Sequence, residues 1–401
     1  MSDVQIMTGN QAAAHAVKLC KVQVISAYPI TPSTPVTETI SQWVERGDLK
    51  AEYIRVESEH SVMTVCISAS TVGARVFTST SSHGLLYMHE QLHWAAGSRL
   101  PIVLACVNRG VGAPWSIFND QQDSIAQRDT GWIQIYCRDN QEIIDSLIQA
   151  YRIAEQVYCP VMVCYDGFIL SHTMMPVDIP DADKVCRFLP PYKPHTILAP
   201  EDPRNINPVI FPWQRRDAEG VLRDGYMDMR WKLQHALEGS RDVIVETCRD
   251  YAEVFGRDHG GMLWTYRAND AEVLLVSMGS LASEATVAVD LLREQGIRAG
   301  LVGIRVYRPF PLEEIREVFR KVPAIVVFEK DISYGYEGAL CADIKASLYG
   351  TGIQTPVHNF IAGLGGRDVK AKELAEAVRS SLAAIASGDR EKQTWLNCVT
   401  E

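Results

Sequence analysis

The sequence predicts an α/β protein in which a parallel sheet with helices on both faces is followed by a second α/β unit. Three observations lead to this fold class. Apolar strand-like runs alternate with helical patterns over the first 170 residues, a proline-rich stretch interrupts them, and the alternation then resumes. With 401 residues, the chain is long enough for two or three domains with a sizeable core.

The first unit is expected to be an α/β domain over residues 1–175. Residues 35–46 are predicted to be helical because Thr34 is a suitable N-cap and Pro35 suits the first helical position. The other predicted elements follow in alternation. The predicted strands are 22–27, 52–57, 75–80, 101–108, 132–137 and 160–165, and the predicted helices are 35–46, 59–72, one ending at Ala96, and 140–157.

The middle of the chain has a different composition. Nine of the nineteen prolines fall between Pro176 and Pro212, which predicts an extended arm without regular structure. A helix over 226–255 completes this connecting region of residues 176–260. A second domain of residues 261–390 follows, and the polar tail 391–401 is expected to be loose. The second domain's predicted strands are 273–278, 299–304 and 324–329, and its helices are 283–294, 312–322 and 372–386.

Composition excludes several classes of function. The net charge of −10 gives no electrostatic reason to expect nucleic acid or an anionic membrane as a partner. No segment reads as a secretion signal or as a bilayer span, so we expect a cytoplasmic protein. The ten cysteines include no C-x-x-C pair, and several lie inside apolar strands. They are therefore expected to be buried thiols, and any iron–sulfur cluster should lie on another protein.

A stiff segment follows the first predicted strand. Pro29, Pro32 and Pro35 each fix their own φ and hold the residue before them in an extended conformation. Ligands of open α/β sheets bind at the carboxyl ends of strands, so Tyr28 and Thr31 are candidates for contact with a small polar substrate. A proline-stiffened turn is the alternative.

Two further segments carry candidate chemistry. Glu59 opens a predicted helix, where it is either an N-terminal cap or a buried carboxylate that bonds a cofactor nitrogen. Arg109 follows a strand and precedes Gly110 and Gly112, which let a ligand approach. The guanidinium fork suits a carboxylate clamp, and a structural salt bridge is the alternative.

Two weaker motifs remain. His89-Glu-Gln-Leu-His93 matches the H-E-x-x-H pattern of zinc hydrolases, but no third ligand follows at a usual spacing, so an ordinary helix is favoured and no metal site is predicted. The glycine-rich run from Gly363 to Asp368 follows an apolar segment. It is either a phosphate cradle or a tight connection.

Taken together, these segments resemble the α subunit of the pyruvate:ferredoxin oxidoreductase family, the thiamine-diphosphate 2-oxoacid:acceptor oxidoreductases. The matching strings run in family order from residue 5 to about residue 380. They are Tyr-Pro-Ile-Thr-Pro-Ser at 28–33, Val-Glu-Ser-Glu-His at 56–60, Thr-Ser-Ser-His-Gly at 80–84, Asn-Asp at 119–120, Arg-Asp-Thr-Gly-Trp-Ile-Gln at 128–134, Arg-Pro-Phe-Pro at 308–311, Ser-Tyr-Gly-Tyr-Glu-Gly-Ala at 333–339 and Phe-Ile-Ala-Gly-Leu-Gly-Gly-Arg-Asp at 360–368.

The resemblance implies roles for individual residues. Glu59 matches the glutamate that bonds the cofactor's N1′ nitrogen, and Thr31 and Arg109 match the residues that hold the substrate carboxylate. By the same resemblance, the first domain is similar to the family's thiamine-diphosphate-binding (pyrimidine-type) domain, and the second domain resembles the transketolase C-terminal domain. The reaction implied is oxidative decarboxylation of a 2-oxoacid with coenzyme A, with electrons passed to iron–sulfur clusters. By the same match, substrate contacts extend to Tyr28, Gly110 and Gly112, and cofactor contacts to Pro29, Ser82 and His83.

One familiar motif of thiamine enzymes is absent from the chain. No Gly-Asp-Gly, the segment that binds Mg²⁺ and diphosphate, occurs in the sequence. The resemblance therefore implies half of a cofactor site, completed by a β subunit that brings Mg²⁺, diphosphate and a cluster. Further γ and ferredoxin-like δ subunits are expected in a hetero-oligomer.

The substrate is left open at this point. Pyruvate enzymes of the family carry Ala and Ser where this chain has Gly110 and Gly112, so a void beside the clamp suggests a bulkier 2-oxoacid such as phenylglyoxylate. Pyruvate, with neutral drift to glycine, is the alternative. A lipoyl-dependent 2-oxoacid dehydrogenase component, a zinc hydrolase and a non-catalytic scaffold are the competing functions. The final electron acceptor, ferredoxin or NAD, also stays open.

Overall fold

A computed structural model describes residues 3–194, 213–216, 220 and 222–399. Its strands are β1 (Asp3–Met7), β2 (Val24–Ala27), β3 (Glu52–Arg55), β4 (Val76–Thr80), β5 (Val103–Asn108), β6 (Ile133–Tyr136), β7 (Val161–Asp166), β8 (Met175–Ile179), β9 (Arg215–Arg216), β10 (Leu222–Arg223), β11 (Leu263–Tyr266), β12 (Val273–Ser277), β13 (Ala299–Ile304), β14 (Val306–Arg308), β15 (Ala324–Glu329), β16 (Val357–Ile361) and β17 (Glu391–Trp395). Its helices are α1 (Gly9–Leu19), α2 (Thr34–Arg46), α3 (Glu59–Thr71), α4 (Ser82–Tyr87), α5 (His89–Gly97), α6 (Gln122–Ile125), α7 (Asn140–Val157), α8 (Ala182–Phe188), α9 (Tyr226–Phe255), α10 (Gly279–Glu294), α11 (Leu312–Phe319), α12 (Ala339–Leu348) and α13 (Ala371–Ala386).

The first sheet has the strand order β14-β6-β7-β5-β4-β2-β3. All its pairings are parallel except the one between β14 and β6. Every residue of β5 and β7 is buried, because helices cover both faces of the sheet. This explains why both strands read as continuous apolar runs in the sequence. The prediction of a parallel, helix-covered sheet is confirmed.

The second sheet has the strand order β11-β13-β12-β15-β16-β17. Only β11 pairs antiparallel, with β13. Helices α10 and α13 pack against each other over a second apolar cluster that includes Leu292, Phe328 and Val378. The second predicted α/β unit is therefore also confirmed.

The two sheets are tied together by the short strand β14. The chain leaves β13 of the second sheet and immediately adds β14 to the edge of the first. Arg305, between the two strands, is fully buried, and its Nε atom donates to the Glu142 carboxylate at 2.7 Å. Its Nη2 atom donates to Ser146 Oγ and Gln149 Oε1. This buried ion pair and the two additional hydrogen bonds link the second unit to helix α7 of the first.

Several predicted elements need correction. Regular structure does occur in the proline-rich stretch, where β8 pairs antiparallel with β1 and helix α8 follows, so its prediction as an arm is wrong for these residues. The part of the predicted arm at 195–212 lies outside the described residues. The prediction of a loose tail is also wrong, because β17 in the tail pairs in parallel with β16. Both β8 and β17 form because they pair with a strand that is distant in the sequence, and local composition does not show such a pairing. The proposed domain boundaries stay predictions.

Two expectations from composition can also be compared with the structure. Eight of the ten cysteines are buried, and all ten are free thiols. Among the helices of the described chain, none combines the length and the apolar character needed to cross a membrane.

Candidate active site

Four neighbouring strands bring the predicted site residues to one edge of the first sheet. In the order β5-β4-β2-β3, the carboxyl end of each strand is followed by one candidate segment. Arg109 follows β5, Ser82 follows β4, and Tyr28–Thr31 follows β2, while Glu59 lies just beyond β3 at the start of α3. The carboxyl edge of a parallel sheet is where α/β proteins bind ligands.

The proline segment after β2 is anchored from its inner side. The buried Asn10 donates from Nδ2 to the Pro32 carbonyl at 2.8 Å, and Tyr165 in turn donates to Asn10 Oδ1. Ser33 Oγ donates to the Ile30 carbonyl. These bonds hold the backbone still, while the Thr31 side chain remains exposed. Asn10 was not found from sequence, because its partners lie far away along the chain.

Arg109 is buried and faces the proline segment. Its Nη1 atom donates to the Thr31 carbonyl at 2.8 Å, and its Nε atom donates to the Ser116 carbonyl at 3.3 Å. The guanidinium also lies 5.6 Å from the ring centroid of Trp115. Within the described residues no carboxylate pairs with it, so the alternative of a structural salt bridge finds no support. Burial lowers the pKa of Arg109, which expresses the cost of an unpaired buried cation.

Asp123 is the hub that aligns the ends of β4 and β5. Its Oδ2 atom accepts the backbone N–H groups of Ser82 and Arg109 at 2.8 and 3.0 Å, and its Oδ1 atom accepts Asn108 Nδ2 at 2.8 Å. Burial raises the pKa of this carboxyl to about 6, against the effect of its hydrogen bonds. Sequence reasoning missed Asp123, because its partners come from separate strands and no spacing signal marks it.

The loop after Arg109 is held by the segment after β4. Ser82 Oγ donates to the Gly110 carbonyl at 2.6 Å, and the Gly112 N–H donates to His83 Nε2 at 3.0 Å. Ser82 is fully buried with φ at +45°, so its hydroxyl and N–H are both used inside the protein. The structure thus places Ser82 and His83 as supports of this loop. Their contact with a cofactor stays a prediction.

The prediction of a void beside Arg109 is wrong. A Cβ atom at Gly110 would lie 3.1 Å from Asp120 Oδ2, and one at Gly112 would lie 3.3 Å from the His83 ring. Asp120 and His83 therefore occupy the space that side chains at these positions would need. The two glycines allow close packing of the loop, and they give no reason to expect a bulkier substrate.

Glu59 is a buried carboxylate, and the prediction that it caps helix α3 is wrong. The N-cap of α3 is Ser58, whose Oγ accepts the Ser61 N–H at 3.3 Å. Glu59 is 8% exposed, and within the described chain its carboxylate makes no hydrogen bond to another residue. Burial raises its pKa. Burial thus favours the neutral form of the carboxyl, which is the form that donates to a ring nitrogen.

The surroundings of Glu59 fit a heteroaromatic cofactor. Gly84 in α4 has no side chain where a Cβ would lie 2.5 Å from Glu59 Oε1 and 2.6 Å from Thr80 Oγ1. The Thr80 hydroxyl is buried without a partner within the described chain. An unpaired buried hydroxyl beside a carboxyl marks a place where a polar ligand satisfies it. We therefore consider that the residues fit the pyrimidine half of thiamine diphosphate.

The alternative zinc site is not supported. His89 Nδ1 shares a hydrogen bond with Gln127 Oε1 at 2.5 Å, and its ring lies edge-on to that of His93 with centroids 5.0 Å apart. Over the ranges that the structure describes, no three His, Cys, Asp or Glu side chains form a possible metal-binding group.

The glycine loop of residues 363–366 comes from the second unit and docks onto the Arg109 side. The Gly365 N–H donates to Asp120 Oδ2 at 3.1 Å, and the Gly366 N–H donates to the Asn119 carbonyl at 2.7 Å. These contacts agree with the tight-connection alternative. Burial and the Asp123 charge raise the pKa of Asp120 to about 7.

Comparison with known proteins identifies the family. Residues 15–226 match the thiamine-diphosphate-binding domain model of the pyruvate flavodoxin/ferredoxin oxidoreductases, and residues 271–374 match core domain II of pyruvate:ferredoxin oxidoreductase. The pyruvate synthase subunit PorA of Methanothermobacter thermautotrophicus is 46% identical over 400 residues, covering 99% of both chains. The ketoisovalerate oxidoreductase subunit VorA of Pyrococcus horikoshii is 42% identical over 390 residues, covering 97% of this chain and 96% of that subunit.

Solved structures agree in fold. The 2-oxoglutarate:ferredoxin oxidoreductase from Magnetococcus marinus superposes with a TM-score of 0.70 at 19% identity, over 95% of this chain and 65% of that one. A split-gene transketolase superposes with a TM-score of 0.53 at 14% identity, over 94% and 99%. The chain belongs to the α-subunit family of the 2-oxoacid:ferredoxin oxidoreductases.

Proposed function

We propose that this chain supplies the pyrimidine-binding half-site and the substrate-carboxylate clamp of a CoA-acylating 2-oxoacid:ferredoxin oxidoreductase. One observation carries the proposal. The buried guanidinium of Arg109, which forms no ion pair with a carboxylate of the described chain, lies at the same sheet edge as the buried carboxyl of Glu59. A cation and a buried carboxyl with a raised pKa at one sheet edge suit an anionic substrate and a basic heterocycle.

In this proposal the side chains divide the work. The guanidinium of Arg109, held by the Thr31 and Ser116 carbonyls, binds the substrate carboxylate with its remaining N–H groups. Glu59 bonds the ring nitrogen, and burial, which raises its pKa, favours the protonated form that donates to that nitrogen. Tyr28, Pro29 and the Thr31 side chain form the wall above them. Thiamine diphosphate, when bound, supplies the carbanion chemistry of decarboxylation.

The other half of the site would come from partner subunits. Since the sequence lacks Gly-Asp-Gly, we propose that a β subunit brings the diphosphate and Mg²⁺ site together with a cluster. Ferredoxin-like subunits would carry the remaining iron–sulfur clusters, and coenzyme A would accept the acyl group. The lack of C-x-x-C in this chain agrees with clusters on partners only.

We propose a small aliphatic 2-oxoacid as the substrate, with pyruvate as the first to test. The packing of Gly110 and Gly112 against Asp120 and His83 removes the argument for an aryl acid. Relatives that act on pyruvate and on ketoisovalerate are similarly close, at 46% and 42% identity, so both acids belong in the assay.

The proposal is tested on the purified complex with all its subunits. For Glu59→Gln we expect a loss of kcat of about 100-fold or more in 2-oxoacid-dependent ferredoxin reduction, because a positioned acid–base group contributes about 10²–10⁴-fold. For Arg109→Gln we expect the KM for the 2-oxoacid to rise by at least 10-fold with the KM for coenzyme A unchanged.

The matched control is Glu57→Gln, which changes an exposed carboxylate two residues from Glu59. It should leave both kinetic constants within twofold of those of the wild type. Full activity in Glu59→Gln, or an unchanged 2-oxoacid KM in Arg109→Gln, would contradict the proposed roles.

A further inference from the structure

The loop that follows Arg109 is fastened mainly from outside its own strand. We name residues 110–119 the clamp loop. The Gly110 N–H donates to the Phe118 carbonyl at 2.9 Å, which closes the loop on itself. Inside the loop, Ser116 offers its carbonyl to Arg109 Nε. Any displacement of Ser116 therefore displaces one of the two carbonyls that orient the guanidinium.

The second unit bonds this loop at two residues and also bonds Asp120, the residue that follows the loop. Ser116 Oγ donates to the Gly365 carbonyl at 3.4 Å, the Gly366 N–H donates to the Asn119 carbonyl at 2.7 Å, and the Gly365 N–H donates to Asp120 Oδ2 at 3.1 Å. Gly365 and Gly366 have φ of +58° and +78°, a conformation that glycine adopts without strain. The backbone of the glycine loop thus pairs with the clamp loop in place of side chains.

A buried ion pair behind the two loops fixes the same junction. Asp166, at the end of β7, accepts Asn119 Nδ2 on one oxygen at 3.1 Å. Its other oxygen accepts the Ser280 N–H at 2.9 Å and Lys330 Nζ at 3.3 Å, both from the second unit. Asp166 and Lys330 are 1% and 4% exposed. The end of the clamp loop is therefore tied to the second unit by a charge pair as well as by backbone bonds.

We propose that the glycine loop of the second unit positions Arg109 for the substrate carboxylate, so that Gly366 and Asp120 are positioning residues for 2-oxoacid binding. The second unit then contributes to substrate affinity, because it holds Ser116, whose carbonyl orients Arg109. This inference rests on the proposed carboxylate-binding role of Arg109. It predicts that disturbing a loop of the second domain changes one Michaelis constant selectively.

Gly366→Ala is the sharpest test, because a Cβ atom there collides with Cβ of Phe118 in the clamp loop. Gly352→Ala is the matched control. Gly352 has φ of +79°, almost the same as Gly366, but a Cβ atom there has nothing within 4 Å. Both variants impose the same backbone strain on the second unit, and only Gly366→Ala pushes on the clamp loop. Kinetics are measured on the assembled complex.

We expect Gly366→Ala to raise the KM for the 2-oxoacid by at least fivefold over Gly352→Ala. The kcat should fall by less than the KM rises, and the KM for coenzyme A should not change, because uniform binding of substrate is lost. Asp120→Asn keeps the side-chain size and leaves one acceptor for two N–H groups. It should raise the same KM by about two- to fivefold.

The outcomes separate this inference from the proposed function. If Arg109→Gln raises the 2-oxoacid KM while Gly366→Ala and Asp120→Asn behave like Gly352→Ala, the positioning role is refuted and the clamp survives. If Arg109→Gln leaves that KM unchanged, the clamp itself is refuted. Should Gly366→Ala fail to assemble, Asp120→Asn decides by the same comparison.

Discussion

At the scale of single residues, the site depends on the absence of a side chain at Gly84. The helix α4 passes so close to Glu59 that only a hydrogen fits between its backbone and the carboxylate. Thr31 and Arg109 were paired in the sequence by the family resemblance, and each follows a strand of a parallel sheet, at the edge where ligands bind. The hubs Asp123 and Asn10 could not, because a buried hydrogen-bond centre is defined only when several strands meet.

Gly84→Ala should disable the cofactor half-site without unfolding the protein. A Cβ atom at Gly84 would lie 2.5 Å from Glu59 Oε1, so the carboxylate must move. Gly84 is helical, and alanine is favoured over glycine in a helix by about 1 kcal/mol, so the fold should survive. We expect the thiamine diphosphate concentration for half-maximal activity to rise at least 10-fold.

The control for that variant is Gly97→Ala in helix α5. A Cβ atom at Gly97 has Arg230 Nη1 at 3.5 Å as its nearest neighbour, which is ordinary contact. It should leave the cofactor requirement unchanged. Equal behaviour of the two variants would show that close packing on Glu59 has no part in cofactor binding.

At the scale of elements, the local sequence pattern was sufficient to predict those helices and strands whose bounds are set by their own residues. Helix α9 has the predicted bounds, Tyr226 to Phe255, because a long helical pattern runs into the αL glycine Gly256. Strands β14 and β17 were missed because short or polar segments become strands only through a distant partner. The same reason explains why β8 was missed within a proline-rich stretch.

The connection between β13 and β14 should be among the most sensitive points for stability. Glu142→Gln removes the only carboxylate within the described chain that pairs with the fully buried Arg305 guanidinium. Breaking one side of a buried pair costs about 3–5 kcal/mol. We expect a loss of this size in the free energy of unfolding, measured by urea denaturation. Glu272→Gln, in the exposed pair with Arg298, should cost under about 1 kcal/mol.

At the scale of the whole molecule, the chain exposes large aromatic side chains. Trp115 and Tyr334 are 74% and 81% exposed, on the clamp loop and on the segment after β15. An exposed Trp115 beside the Arg109 guanidinium agrees with a covering partner subunit. The lack of Gly-Asp-Gly in the sequence leads to the same expectation.

The isolated chain should therefore show no 2-oxoacid-dependent reduction of viologen or ferredoxin. We expect that adding the separately purified partner proposed to carry Gly-Asp-Gly restores activity in proportion to the complex formed, because on this proposal it completes the diphosphate site. The measurement is activity against partner concentration, with Glu59→Gln as the inactive reference. Activity of the isolated chain at the level of the complex would contradict a shared site.

The return of β14 to the first sheet has a consequence for how this chain can be divided. A fragment that ends before Val306 would expose the N–H and C=O groups along β6, and such a row is a template for aggregation. It would also leave Glu142 buried without its counter-ion. We therefore expect gene fission or recombinant truncation at the linker between the two α/β units to yield insoluble halves.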